Sequence, residues 1–138
     1  YNIKGESELK ELIQIIASAI GSPTNPNKLA NTFKSLKNVS LSNKTIDNYL
    51  TYLCESFLTE KAIRYDIKGK KYINTLSKYY FTDVGLRNAI LDFRQQEENH
   101  IMENVIYNEL KIRGFQVDVG MVGHRTTDKD GKTIRSMR

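Results

Sequence analysis

Tryptophan is missing from this chain, and cysteine and proline nearly so: 138 residues hold no Trp, one Cys and two Pro. The single thiol, Cys54, closes no internal disulfide, so nothing in the sequence calls for an oxidising compartment. His100 and His124 stand far apart, with no Cys or His at metal-ligand spacing, which argues against a zinc site. No apolar run approaches the ~20 residues that span a bilayer, and Tyr1 to Gly21 lacks a signal-peptide layout. No Gly-rich loop runs into Lys-Ser/Thr, so there is no Walker A motif and no nucleotide site in these residues. The expected location is the cytoplasm, without membrane attachment.

What is present is the composition of an ordinary globular chain, 39% hydrophobic and 27% charged. Its length suits one domain, or one domain and a fragment. The chain opens on Tyr1 and stops on the polar Ile134 to Arg138, so both ends read as cut from something longer. The net charge of +5 is unevenly placed. Residues 1–66 and 82–138 are nearly balanced, whereas 67–81 carry Lys68, Lys70, Lys71 and Lys78 and no acid. A local cluster of this kind points to a polyanion better than a high overall pI does.

Leu9, Leu12, Ile13, Ile16 and Ile20 recur at helical spacing behind Glu6, Glu8 and Glu11, and Gly21 closes this helix. Asn25-Pro26 caps and starts a second helix, with Leu29, Phe33 and Leu36 as its apolar stripe and Lys37-Asn38 as its end. Ser42 caps a third, which turns Ile46, Tyr49, Leu50, Leu53 and Phe57 inward. Ile63, Tyr65 and Ile67 then alternate with Ala62, Arg64 and Asp66, the period of a strand with one buried face. Lys68 to Lys71 is a turn, Tyr72 to Ser77 a loop or irregular β, and Tyr79 to Phe81 a returning strand. Thr82-Asp83 caps a short helix through Leu91. Ile101, Val105, Leu110 and Ile112 mark another, stopped by Gly114, and Phe115, Val117 and Val119 a strand. Gly123 to Arg138 has no apolar period and reads as a mobile tail.

Three helices and a hairpin are the layout of a winged helix. The sequence therefore predicts a mainly α fold with a small β component. A winged helix-turn-helix with a trailing short helix occupies 1–92, and an α/β fragment occupies 99–138. The outward face of the third helix carries Asn43, Lys44, Asn48 and Thr51, residue types that reach base edges or phosphates in a major groove. Asp47 and Glu55 on that face oppose a phosphate wall, and suit a solvated or protein-binding face. Lys68, Lys70 and Lys71 would hold a phosphate backbone, or simply keep a hairpin tip soluble. Cys54, one residue after inward Leu53, reads as a small packed side chain. Asp130-Gly131-Lys132 spells an acidic-x-Lys pattern, but its neighbours read as a turn.

Lys78-Tyr-Tyr-Phe-Thr-Asp-Val-Gly-Leu-Arg-Asn88, followed by Met102-Glu-Asn-Val-Ile-Tyr-Asn-Glu-Leu110 and Arg113-Gly114-Phe115, resembles the C-terminal half of a family of predicted bacterial and archaeal AAA+-type ATPases. Thr45 to Leu50 with Leu53 looks like that family's third helix. In the family a P-loop ATPase module precedes a winged helix, and a restriction-endonuclease-like domain often closes the chain. The resemblance implies that this segment is non-catalytic and lies between the two, so that 99–138 would be the truncated start of the nuclease-like domain. ATP and Mg²⁺ would belong to the parent's N-terminal ATPase domain, which would be one partner, with duplex DNA or a second copy as others. Glu103 is the residue that could assist a metal in the nuclease-like fold, although no metal site is complete here. Three functions stay open: a DNA-binding or DNA-positioning module, a protein-interaction or regulatory module, and an inactive fragment of a metal-dependent nuclease-like domain.

Overall fold

The computed structural model describes residues 5–94, 98–121, 123–127 and 133–137, with position 74 and the last two segments described by backbone alone. Helices α1 (Glu6–Ser18), α2 (Pro26–Lys37) and α3 (Asn43–Glu55) lead into strands β1 (Thr59–Asp66) and β2 (Lys71–Phe81). Then come α4 (Val84–Ile90), α5 (Glu98–Ile112), β3 (Val119–Met121), β4 (Gly123–Thr127) and β5 (Thr133–Met137). The result is a mixed α/β arrangement, with more β structure than the mainly α expectation allowed. Strands β2, β1 and β3 form one sheet in that order, antiparallel then parallel, and β4 pairs with β5 in a second.

The helix starts follow their caps. Asn25 Oδ1 accepts from Lys28 N at 2.8 Å with Pro26 in the first turn, and Ser42 Oγ accepts from Thr45 N at 3.1 Å. Asp83 Oδ1 does the same for Leu86 N at 3.0 Å. Leu12, Ile20, Phe33, Ile46, Leu50 and Phe81 are sealed from solvent in one cluster that unites α1, α2 and α3 with the end of β2.

Several expectations need correction. Phe57 does not turn inward: α3 stops at Glu55, and Leu58 N bonds Leu53 O at 3.0 Å while Phe57 N bonds Cys54 O at 3.1 Å. That stop places Phe57 at φ 58°, throws its ring outward at 79% exposure, and lets Leu58 pack instead. Leu36 also faces outward, at 66%. On β1 Thr59 and Ala62 are buried, whereas Ile63 is exposed, Tyr65 is half-buried, and Ile67, just past the strand, is exposed. The helical core covers Thr59, Tyr79 and Phe81 and stops short of Ile63; the opposite face, with Ala62 and Tyr80, is covered by Tyr107 of α5.

β2 is one strand with an interruption. Ile63 pairs with Ser77 and Arg64 with Ile73, leaving residues 74–76 as a bulge. Thr24 bridges Ser77 through two backbone bonds of 2.8 and 2.9 Å, and Asn25 Nδ2 donates to Thr75 O at 2.7 Å, so the loop between α1 and α2 grips the bulge. The strand expected from Phe115 begins only at Val119, where β3 lies parallel to β1. The stretch expected as a mobile tail holds β4 and β5, paired from Gly123↔Met137 to Thr127↔Thr133. Asp130-Gly131-Lys132 lies outside the described residues. Among the described residues no helix is long and apolar enough to cross a membrane.

Candidate nucleic-acid interface

With Ile46, Tyr49, Leu50 and Leu53 turned into the core, helical period puts Asn43, Lys44, Asp47, Asn48, Thr51 and Glu55 on the other side of α3, and all six are exposed. Thr51 Oγ1 donates back to Asp47 O at 2.9 Å. The first turn of α3 opens onto the first turn of α2. Asn43, Lys44 and Asp47 line a cleft of about 490 Å³ with Asn25, Asn27 and Thr75. Free backbone N–H groups and a positive dipole end face such a cleft at a helix start.

The lysine turn is built by Asp66. Its Oδ1 accepts from Lys68 N at 3.1 Å and Gly69 N at 3.0 Å, and a Cβ at Gly69 would meet Asp66 Oδ2 at 2.5 Å. Lys70 takes φ 49°, and Lys68, Lys70 and Lys71 are all exposed. Lys71 is the cross-strand partner of Asp66, whose carboxylate offsets part of the tip's positive charge. The structure thus gathers the three lysines at one turn and the four α3 residues on one helix face.

Lys78 does not join this surface. Its Nζ and the Tyr80 hydroxyl each donate to Glu103 Oε1 at 2.5 Å, while His100 Nδ1 lies 4.0 Å from Oε2. Burial alone would raise the Glu103 carboxyl, but the hydrogen bonds from Lys78 and Tyr80, with the charges of Lys78 and His100, hold it below the usual range. Burial, then the Glu103 hydrogen bond, push the Tyr80 phenol well up. The neighbours of Glu103 are donors rather than further carboxylates, and no cluster of three or more His, Cys, Asp or Glu fit for a metal occurs among the described residues. Cys54 is half-buried against Thr59, and burial pushes its thiol up, the opposite of an activated nucleophile.

Sequence reasoning missed the residues that fasten α5. Asn104 is fully buried; its Oδ1 accepts from Phe81 N and its Nδ2 donates to Phe81 O, both at 2.8 Å. Asn108 Nδ2 adds bonds to Phe81 O at 2.9 Å and Thr82 O at 3.1 Å. Tyr107 stacks on Tyr80 at 4.2 Å and donates to Glu60 at 3.1 Å, and Lys111 meets Glu60 at 3.4 Å. The signal was a polar stripe, Glu103-Asn104, Tyr107-Asn108 and Lys111, at helical period. Arg87 was missed too: fully buried, it donates from Nε to Ala17 O at 2.8 Å, tying α4 to the C-terminal end of α1.

Fold and site together define a small mixed α/β domain with an exposed polar helix face and a lysine-tipped hairpin. The chain belongs to the family described as "Domain of unknown function (DUF8612)", which matches residues 1–97. It is similar to a Haemophilus influenzae protein described as "Uncharacterized protein", 38% identical over 126 residues, which cover 91% of this chain and 31% of the relative. The chain thus spans about a third of that relative's length. No solved structure matches.

Proposed function

We propose that this domain is a winged helix that binds or positions duplex DNA, as a non-catalytic module of a larger AAA+-type ATPase. The observation that carries the reading is the α3 face, where Asn43, Lys44, Asn48 and Thr51 are exposed together and the first turn opens onto the start of α2. α3 would enter the major groove, where asparagine amides and a lysine read base edges. Lys68, Lys70 and Lys71 would rest on the backbone as the wing, contributing position rather than sequence preference. Thr24, bridged to Ser77, supplies the short extra strand segment that fits a winged helix. A relative in which the segment similar to this chain makes up 31% of the length supports a module within a larger protein. No Gly-rich phosphate loop occurs in the chain, so ATP and Mg²⁺ do not fit these residues and would be held by another part of that protein.

The test is a titration with duplex DNA at low salt, repeated as salt rises. Binding that weakens with salt is expected, and Lys68→Ala/Lys70→Ala/Lys71→Ala together should flatten the log–log slope by about 0.9 for each phosphate no longer neutralised. An unchanged slope would take the hairpin out of the interface, and no binding at low salt would sink the DNA reading.

A second reading, docking of another protein or of the parent ATPase domain, has its own support. Asp47 and Glu55 share the α3 face, and a groove of about 580 Å³ between α1 and α4 is lined by Ile13, Leu58, Leu86, Ala89 and Ile90. Leu86 is 44% exposed beside it.

A further inference from the structure

Helix α5 is mounted back to front. An amphipathic helix ordinarily turns its apolar side to the core, yet α5 docks through Glu103, Asn104, Tyr107, Asn108 and Lys111. Met102, Val105, Ile106 and Ile112 are left 51 to 82% exposed. At 3.6 residues per turn these four fall within about 120° of one another, and so form one stripe down the side of the helix opposite Asn104 and Tyr107. The stripe's charges are segregated. Glu98, one turn before Met102, stands at its N-terminal end, and Arg113 just past its C-terminal end. Glu109, towards its middle, is neutralised by Arg113 Nε at 2.7 Å. A guanidinium has further donors at its two terminal nitrogens, so Arg113 can serve a second carboxylate while holding the first.

We propose that this face is a homodimer contact, in which α5 pairs antiparallel with α5 of a second copy of this chain. Antiparallel pairing lays Met102 near Ile112 of the other copy and Arg113 within a side chain's reach of Glu98 of the other copy. It also opposes the two helix dipoles. A parallel pair would set acid against acid at one end and base against base at the other. The contact is two-fold and self-complementary, so it closes at two copies. One helix per copy is a small interface, and the dimer is correspondingly weak, on the order of micromolar or weaker.

Sedimentation of the chain over about three decades of concentration reads the association directly. The expected result is a reversible monomer–dimer equilibrium, abolished by Val105→Glu and by Ile112→Glu. Both positions are exposed, and unchanged circular dichroism shows that the variants still fold. Arg113→Glu should weaken the dimer about tenfold or more by setting like charges against each other. Adding Glu98→Arg to it should restore the association, which a merely structural effect of Arg113 would not do. A monomer throughout, assigning the face to some other occupant, overturns the proposal. So does a dimer indifferent to Ile112→Glu, or a charge exchange that fails to restore association.

Discussion

Phe57 is a large side chain in a conformation that suits glycine. At φ 58°, with its ring 79% exposed, it accepts left-handed backbone without gaining burial in return. Phe57→Gly should therefore stabilise the fold by up to about 1 kcal/mol, a gain trimmed by glycine's freer unfolded chain, read from the urea midpoint. Glu103 offers the complementary test with pH. Its carboxyl is held below its ordinary range by Lys78 and Tyr80, so the folded state releases its proton more readily than the unfolded one. The stabilisation is present above the unfolded value, about 4.3, and is lost as pH falls through the lower folded value. The stability difference between wild type and Glu103→Gln should accordingly be largest at neutral pH and shrink below about pH 4.3. A difference that stays constant down to acid unfolding would mean that the carboxylate's charge contributes nothing to docking α5.

At the scale of elements, caps were legible and partners were not. Asn25, Ser42 and Asp83 each bond the backbone N–H one turn onward, a local event that sequence spacing states outright. The burial of Ala62 on β1 depends on Tyr107 of α5, which arrives from far along the chain, so alternation within the strand could not show it. On α5 the apolar residues mark the outside and the amides the inside, because Asn104 satisfies the buried backbone N–H and C=O of Phe81, while Asn108 adds bonds to Phe81 O and, just past the strand, to Thr82 O. Removing that amide should be costly: Asn104→Ala leaves Phe81 N short of its side-chain acceptor and weakens the hold on Phe81 O, about 2–4 kcal/mol by chemical denaturation. The exposed candidate residues were the easiest to place, since Asn43, Lys44, Asn48 and Thr51 need only the phase of α3. The fate of Lys78 was not legible, because its partner Glu103 is contributed by another element.

For the molecule as a whole, the sheet separates two apolar clusters of unequal size. The larger joins α1, α2 and α3 to Tyr79 and Phe81; the smaller holds Ala62, Tyr80 and Tyr107, with Val117 and Val119 against it. Local opening follows how much apolar surface an element buries, so α5 and β3 should exchange their amide hydrogens through a lower-energy opening than α1, α2 and α3. Equal protection in the two sets, measured by native-state hydrogen exchange, would show that they unfold as one unit.

The bonds along β2 also decide where this sheet could grow. A strand's outer edge is a template for any other strand. On β2 that edge is occupied at Ser77 by the backbone of Thr24 and at Phe81 by the side chain of Asn104. β1 lies between β2 and β3, which leaves β3, only Val119–Met121, as the opposite border of the three-stranded sheet. Among the described residues those two positions of the β2 edge are thus closed to stray strand addition, and Val119, Gly120 and Met121 border the sheet on its other side. Asn104 therefore acts as a stopper as well as a fastener at that point of the edge.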